Sequence, residues 1–258
     1  MKISAHVLVK NEENFIWFAI NSILDYVDEI LAWDNGSGDK TVSIIKSIKS
    51  SKIKFRDASK IHFEKARQEM IDDTKADWIF VLDGDEIWPD AAMLNIKNQI
   101  LKVASSKDCI ATPNYMLVGD MFHYQEEKAG RYEIGGKVGH YNVRAVRNFP
   151  GLHIEGVYGN EGFVNGNGVK VQDLPKERIL FLDTPYLHAS FLKREKFEIG
   201  EEFPHDFYYP EVLFRPKPDI VSSVWEPMSL AYKFRAFFET PLKKVYRRTL
   251  LPFKKHGY

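Results

Sequence analysis

The chain has one cysteine in 258 residues, Cys109, which excludes an internal disulfide and any zinc site built on paired cysteines. Cys109 stands in the apolar run Cys109-Ile-Ala-Thr and reads as a buried small hydrophobe. Net charge is missing as well: Lys plus Arg and Asp plus Glu each total 36, so no global field draws in nucleic acid or another polyanion. Long apolar runs are absent. No stretch approaches the roughly 18 residues that a spanning helix needs, and Met1-Lys-Ile-Ser-Ala-His-Val-Leu-Val is too short for a signal peptide core. Residence in the cytoplasm is the default expectation. No internal repeat or low-complexity linker interrupts the chain.

What the chain does have is enough apolar material for a real core, at 44% hydrophobic and 14% aromatic residues. Its charges are unevenly placed. Residues 1–90 carry 17 acidic against 12 basic side chains, whereas residues 229–258 carry eight basic against one acidic. Three segments follow: 1–108 and 109–228 as two halves of one domain, and 229–258 as a basic amphipathic tail.

Apolar runs alternate with helix-spaced ones through the first ninety residues. Ile3 to Val9 reads as a strand and the segment from Phe15 to Ile23 as a helix. Glu29 to Trp33 is a second strand, broken by the turn formers Asp34-Asn-Gly-Ser-Gly-Asp39, with Asp39 placed to cap the next helix. Lys52–Arg56, Glu64–Asp73 and Trp78–Leu82 continue as strand, helix and strand. Such alternation implies parallel strands buried on both faces, with ligands beyond their carboxyl ends. The polar clusters Lys10–Glu13, Asp34–Asp39, Asp57 and Asp83–Glu86 each follow a strand, so the fold would gather them along one edge. From Cys109 onward shorter runs (Ile110–Leu117, Gly139–Val146, Leu180–Leu182) and glycine turns predict a mixed sheet.

Asp83-Gly84-Asp85 carries the chemistry. Two carboxylates one residue apart at a strand end can reach the same divalent ion, and Gly84 lets the backbone approach closely. A cation of this kind stabilises the charge that develops on a diphosphate leaving group. A turn with a helix cap is the alternative reading of the same three residues.

Four segments in order, Val7-Leu-Val-Lys-Asn-Glu-Glu13, Trp33-Asp-Asn-Gly-Ser-Gly-Asp-Lys-Thr41, Ala66-Arg67 and Phe80-Val-Leu-Asp-Gly-Asp-Glu86, resemble the nucleotide-sugar half of inverting glycosyltransferase family 2. The resemblance is close over roughly the first hundred residues and looser to about His188. It implies an α/β protein of GT-A type, a Rossmann-like and mostly parallel sheet flanked by helices, with a mixed acceptor-side sheet and a C-terminal helical tail. It also implies a divalent metal (Mn²⁺ or Mg²⁺) and a nucleotide-sugar donor, a UDP-sugar by family frequency. Asp34 would accept from the nucleotide base, Asn11 and Glu13 would line the nucleoside pocket, and Arg67 would meet the diphosphate. Asp83 and Asp85 would hold the metal, with His188 of Thr184-Pro-Tyr-Leu-His as a third ligand. The ordinary readings are a helix cap for Asn11, a turn residue for Asp34, a solvated helix residue for Arg67 and a satisfied core residue for His188.

The segment from Arg147 to Glu161 resembles the family stretch that ends in a His-Glu general base, which removes the acceptor hydroxyl proton. Glu161 fits that place, although Asn160 stands where the family has His and one residue is inserted, which leaves Glu155 as a rival. His123, His140 and His153 can line an acceptor pocket or be structural. Phe203, Phe207, Tyr208, Tyr209 and Trp225 suit either the apolar faces of a sugar or the core. The acceptor would be a glycan or lipid-linked hydroxyl. A sugar nucleotidyltransferase and a non-catalytic nucleotide-sugar binder are the competing readings. The first would need a glycine-rich phosphate loop after the first strand, where this chain has Lys10-Asn-Glu-Glu. In the tail, rings interleave with cations on a helix expected to break at Pro241. It reads either as a helix packed on the domain with a solvated basic face, or as a segment lying on an anionic inner membrane face.

Overall fold

The computed structural model describes residues 1–103, 106–156, 161–193 and 196–250. Parallel strands β1 (Ile3–Val9), β2 (Glu29–Asp34), β3 (Ile53–Asp57) and β4 (Trp78–Val81) alternate with helices α1 (Ile16–Ile23), α2 (Thr41–Ser47) and α3 (Phe63–Asp73). Pairing of Val9 with Asp34, and of Asp34 with Asp57, brings the first three strands to an end at one level. The loops that follow them therefore share one rim. Period-two alternation sorts the strand side chains. Ala5, Val7, Ala32 and Phe80 face the core that holds α1 and α2, whereas Leu8, Leu31 and Trp33 pack with Ala66 and Met70 of α3. Even the polar residues of β1 are satisfied inside: Ser4 donates to Glu29, and the His6 ring bonds the Thr74 hydroxyl at 2.6 Å. Burial, with Arg67 adding to it, pushes the His6 pKa down to about 3.

After β4 the chain forms β5 (Glu86–Ile87), α4 (Asp90–Val103), β6 (Cys109–Met116), β7 (His123–Tyr124), β8 (Tyr132–Ile134), β9 (Lys137–Gly139) and β10 (Tyr141–Arg147). It continues with β11 (His153–Glu155), β12 (Gly162–Val164), β13 (Ile179–Phe181), β14 (Tyr186–His188), α5 (Ser190–Lys193), β15 (Glu201–Glu202) and α6 (Leu230–Thr249). The main sheet runs β3-β2-β1-β4-β10-β6-β14-β5, with β13 also on β6. The expected mixed sheet is present, with β10 antiparallel to both neighbours. A register shift between Val143 and Ala145 makes Arg144 the extra residue of a β-bulge, a device that re-aims a side chain. Cys109 is fully buried, and burial pushes its thiol up to about 12.

Two expectations change. Asp39 does not cap α2, whose N-cap is Lys40; it accepts instead from the Thr41 amide and hydroxyl. The tail is not broken at Pro241, because α6 runs unbroken through it. Pro241 lies on the exposed side, where the carbonyl that its missing N–H would have bonded can be solvated. Of the tail residues, Leu251, Phe253, Lys254 and Lys255 lie outside the described residues. No described helix is long and apolar enough to cross a membrane.

Candidate active site

A cleft of about 890 Å³ opens at the carboxyl edge of β1 and β4, with Glu12, Arg67, Asp83, Asp85, Arg144 and His188 among its lining residues. Its floor follows from strand pairing. β14 runs antiparallel to β5 and sets His188 directly opposite Glu86, three residues beyond Asp83. One ligand atom from each of Asp83, Glu86 and His188 therefore falls within 4.8 Å of the other two. Asp85 joins through the His188 Nε2, 3.4 Å from its carboxylate. Gly84 is required by space: a Cβ there would stand 2.6 Å from the Glu12 Cγ.

The charges in this floor oppose one another. Arg144, aimed inward by the bulge, donates to Asp83 at 2.8 Å and pairs with fully buried Glu86, while Arg67 reaches Asp83 at 3.5 Å. Burial alone would raise the Asp83 pKa, but Arg144 and Arg67 pull it down to about 2. Glu86 goes the other way. Burial pushes it up to about 7, against the pull of Arg144. Burial also drives Glu12 up to about 8, with the Asp85 charge reinforcing it and Lys193 opposing. His188 is raised: burial opposes its protonation, and the Asp85 and Glu86 charges outweigh that.

Three atoms around this floor, the Glu86 Oε2, Glu12 Oε2 and His188 Nδ1, are buried without a hydrogen-bond partner among the described residues. Orphaned polar atoms of this kind cost free energy unless something meets them. Carboxylate oxygens with one imidazole are donors suited to Mn²⁺ or Mg²⁺, so the residues fit a divalent ion.

The other site residues divide. Glu161 lines the cleft; Glu155 does not, and its exposed carboxylate pairs with His153 of the same strand, β11. Asn160 lies outside the described residues. Asn11 and Glu13 do not line the cleft: Asn11, exposed and at φ +57°, accepts from the Gly38 amide and donates its own amide to Ser37, and Glu13 accepts from the Lys40 amide. Asp34 receives the Gly36 and Ser37 amides on one oxygen and keeps the other buried and unpartnered. His140 lines the cleft and bonds the Glu126 carbonyl, whereas His123 is held by Asp120. Four of the aromatic group pack together, and Tyr208 is exposed. Phe203 stacks on Phe207 at 4.0 Å, Tyr209 meets Trp225 edge-on, and none of the five lines the cleft.

Sequence reasoning passed over Glu86, Glu12, Lys193 and Arg144. Glu86 was within reach, directly after Asp83-Gly-Asp. Arg144 was not, because nothing in Tyr141–Arg147 marks a bulge.

The family model described as Glycosyl transferase family 2 matches residues 4–140, just over half of the chain. Among curated proteins, the SPbeta prophage-derived glycosyltransferase SunS of Bacillus subtilis is 32% identical over 117 residues, covering 43% of this chain and 26% of SunS. An uncharacterized glycosyltransferase of Rickettsia bellii is 39% identical over 85 residues, covering 33% of this chain and 28% of that protein. The chain thus spans about a quarter of the length of these relatives. Among solved structures, the 1–349 fragment of S. aureus TarS superposes with a TM-score of 0.50 at 16% identity, over 76% of this chain and 63% of that one. The same fragment has been solved with UDP, at a TM-score of 0.50. At this identity the likeness speaks for the fold.

Proposed function

The chain belongs to glycosyl transferase family 2, and we propose that it moves a sugar from a nucleoside-diphosphate donor to an acceptor hydroxyl, with a divalent cation and with inversion. One observation carries this reading: Asp83 and His188 on the floor of the cleft converge with Glu86 buried beneath it, and the Glu86 Oε2 and His188 Nδ1 have no hydrogen-bond partner among the described residues.

Asp83, Glu86 and His188 would hold the cation, and Asp85 holds the imidazole at its Nε2. When bound, the cation offsets negative charge on the departing diphosphate. Arg67 adds a planar fork that suits phosphate oxygens, and Arg144, released from Asp83 or Glu86, adds another. Asp34 keeps one carboxylate oxygen for a base N–H, and Asn11 and Glu13 act as positioning residues that hold the loop carrying it. Glu161 takes the acceptor proton as the acceptor oxygen bonds the anomeric carbon. The bond from that carbon to the diphosphate breaks on the opposite face and the nucleoside diphosphate leaves. UDP is the nucleotide tried first, since the S. aureus TarS fragment of similar fold is described in complex with it. A glycan or a lipid-linked hydroxyl is the acceptor class.

The test is release of nucleoside diphosphate from UDP-, GDP- and dTDP-sugars with Mn²⁺, against a panel of glycan and lipid-linked acceptors. Release that needs both metal and acceptor supports transfer. Binding of a nucleotide sugar with no release against any acceptor would favour a binding protein, and formation of a nucleotide sugar from a nucleoside triphosphate would favour the nucleotidyltransferase.

A further inference from the structure

Helix α6 is attached to the domain by its polar side. Tyr232, Ala236, Thr240, Lys243 and Arg247 recur at helical spacing and face the segment 196–199. The Tyr232 hydroxyl donates to the Lys196 carbonyl, and the Thr240 hydroxyl accepts from the Ile199 amide. Lys243 donates to the Phe197 carbonyl, and Arg247 pairs with Glu198 and Glu126. The opposite face is apolar and turned to solvent. Leu230 is 85% exposed, Phe234 71% and Leu242 72%, with Phe237, Phe238 and Val245 beside them. An amphipathic helix of a globular domain does the reverse, burying its rings and solvating its charges. Of the two readings of the tail, the packed helix is right about docking and wrong about which side docks.

The charge around the exposed face indicates what covers it. α6 holds six basic residues and one acidic, Glu239, which already pairs with Arg235 and Lys243. Lys233, Lys244 and Arg248 make no ion pair among the described residues, and on a helical projection they lie beside or at the end of the ring face. A second copy would set basic rims against basic rims with no free carboxylate on α6 to receive them. Rings flanked by uncommitted cations match an anionic lipid surface, where the rings enter the boundary and the cations meet phosphates.

We propose that α6 lies flat on an anionic membrane surface and holds the domain there with the cleft beside the bilayer. The contacts of α6 support that placement. Lys196, which accepts from Tyr232, lines the cleft, and so does Gln125, which donates to Glu198 next to Arg247. This inference stands apart from the catalytic reading, because lipid binding is measured without donor, acceptor or metal.

The full chain is floated with phosphatidylcholine vesicles, with and without phosphatidylglycerol, at low and at physiological salt. Binding that needs the anionic lipid and weakens with salt is expected. Phe234→Ser with Leu242→Ser should lower partitioning roughly tenfold or more, and Lys233→Gln with Lys244→Gln about fivefold for each charge removed. All four side chains are exposed or rim the helix, so thermal unfolding should stay at the parent value. Failure of the parent chain to bind either vesicle overturns the proposal, as does binding that the ring substitutions leave intact. A stable dimer that those substitutions dissolve would assign the face to a second copy and overturn it equally.

Discussion

Two acidic loops sit at the ends of β2 and β4, the two strands that flank β1, and the chain treats them in opposite ways. In the loop after β2, Asp34 and Asp39 are met mostly by nearby N–H and O–H donors. Asp34 takes two amides, and Asp39 takes the Thr41 amide and hydroxyl and the Glu13 amide. Although burial opposes it, these bonds lower the Asp39 pKa. In the loop after β4 the carboxylates crowd one another, lean on two arginines and leave the Glu86 Oε2 buried without a hydrogen-bond partner among the described residues. Apart from one Asp34 oxygen, the first loop has used its acidity to hold its own shape. The other keeps its acidity for something outside the chain, and such unmet charge marks functional sites.

The sharpest break comes from removing acid in the two loops in turn. Asp83→Ala should lower turnover by a thousandfold or more, on the order of what metal charge stabilisation supplies, with the fold intact by circular dichroism. Asp39→Ala should instead lower stability by about 1–2 kcal/mol and leave turnover within a few-fold of the parent. Equal kinetic losses would erase the contrast.

Next in size is the base. Glu161→Gln should keep donor affinity and lower turnover roughly a hundredfold or more, while Glu155→Gln, at an exposed position that does not line the cleft, should be close to the parent. The reverse outcome would move the base to Glu155.

The loop after β4, with Glu12 from the loop after β1, also responds to pH with the opposite sign to the loop after β2. Glu86 and Glu12 have folded pKa values raised from 4.5 to about 7 and about 8, so between those limits the folded state binds more protons than the unfolded one. Their contribution is present at low pH and is lost as pH rises from about 5 toward 8. Asp39, lowered, contributes above its unfolded value and loses that as pH falls through its folded one. Thermal unfolding in EDTA should therefore show a decline on the alkaline side that Glu86→Gln flattens, and an acid decline that Asp39→Asn flattens. An alkaline limb unchanged by Glu86→Gln would contradict the reading.

The parallel half was legible because strands buried on both faces write themselves as unbroken apolar runs, and each functional cluster follows its strand directly. Asp83 and Asp85 were reachable that way, and Arg67, inside α3, through the family resemblance. The rest depended on distant pairing. His188 meets Glu86 only because β14, about a hundred residues later, lies against β5, and Arg144 points inward only because of a bulge. Asn11 and Glu13 have side chains suited to a ligand, and only the structure reveals that neighbouring amides already occupy them. An amphipathic pattern likewise cannot say which side of α6 docks, since rings and cations alternate in either case.

The smallest expected effect belongs to the positioning residues. Asn11→Gly suits the positive φ but loses the bond to Gly38, and should cost about 1 kcal/mol or less in stability with donor affinity reduced only a few-fold. A larger loss of affinity than of stability would return Asn11 to the nucleoside pocket itself.

Calorimetric titration of UDP into the full chain, with Mn²⁺ and with EDTA, tests the central claim without needing the acceptor. The account predicts binding that requires Mn²⁺, is lost in Asp83→Ala and persists in Asp39→Asn. Equal affinity in EDTA, or undiminished affinity in Asp83→Ala, would contradict it.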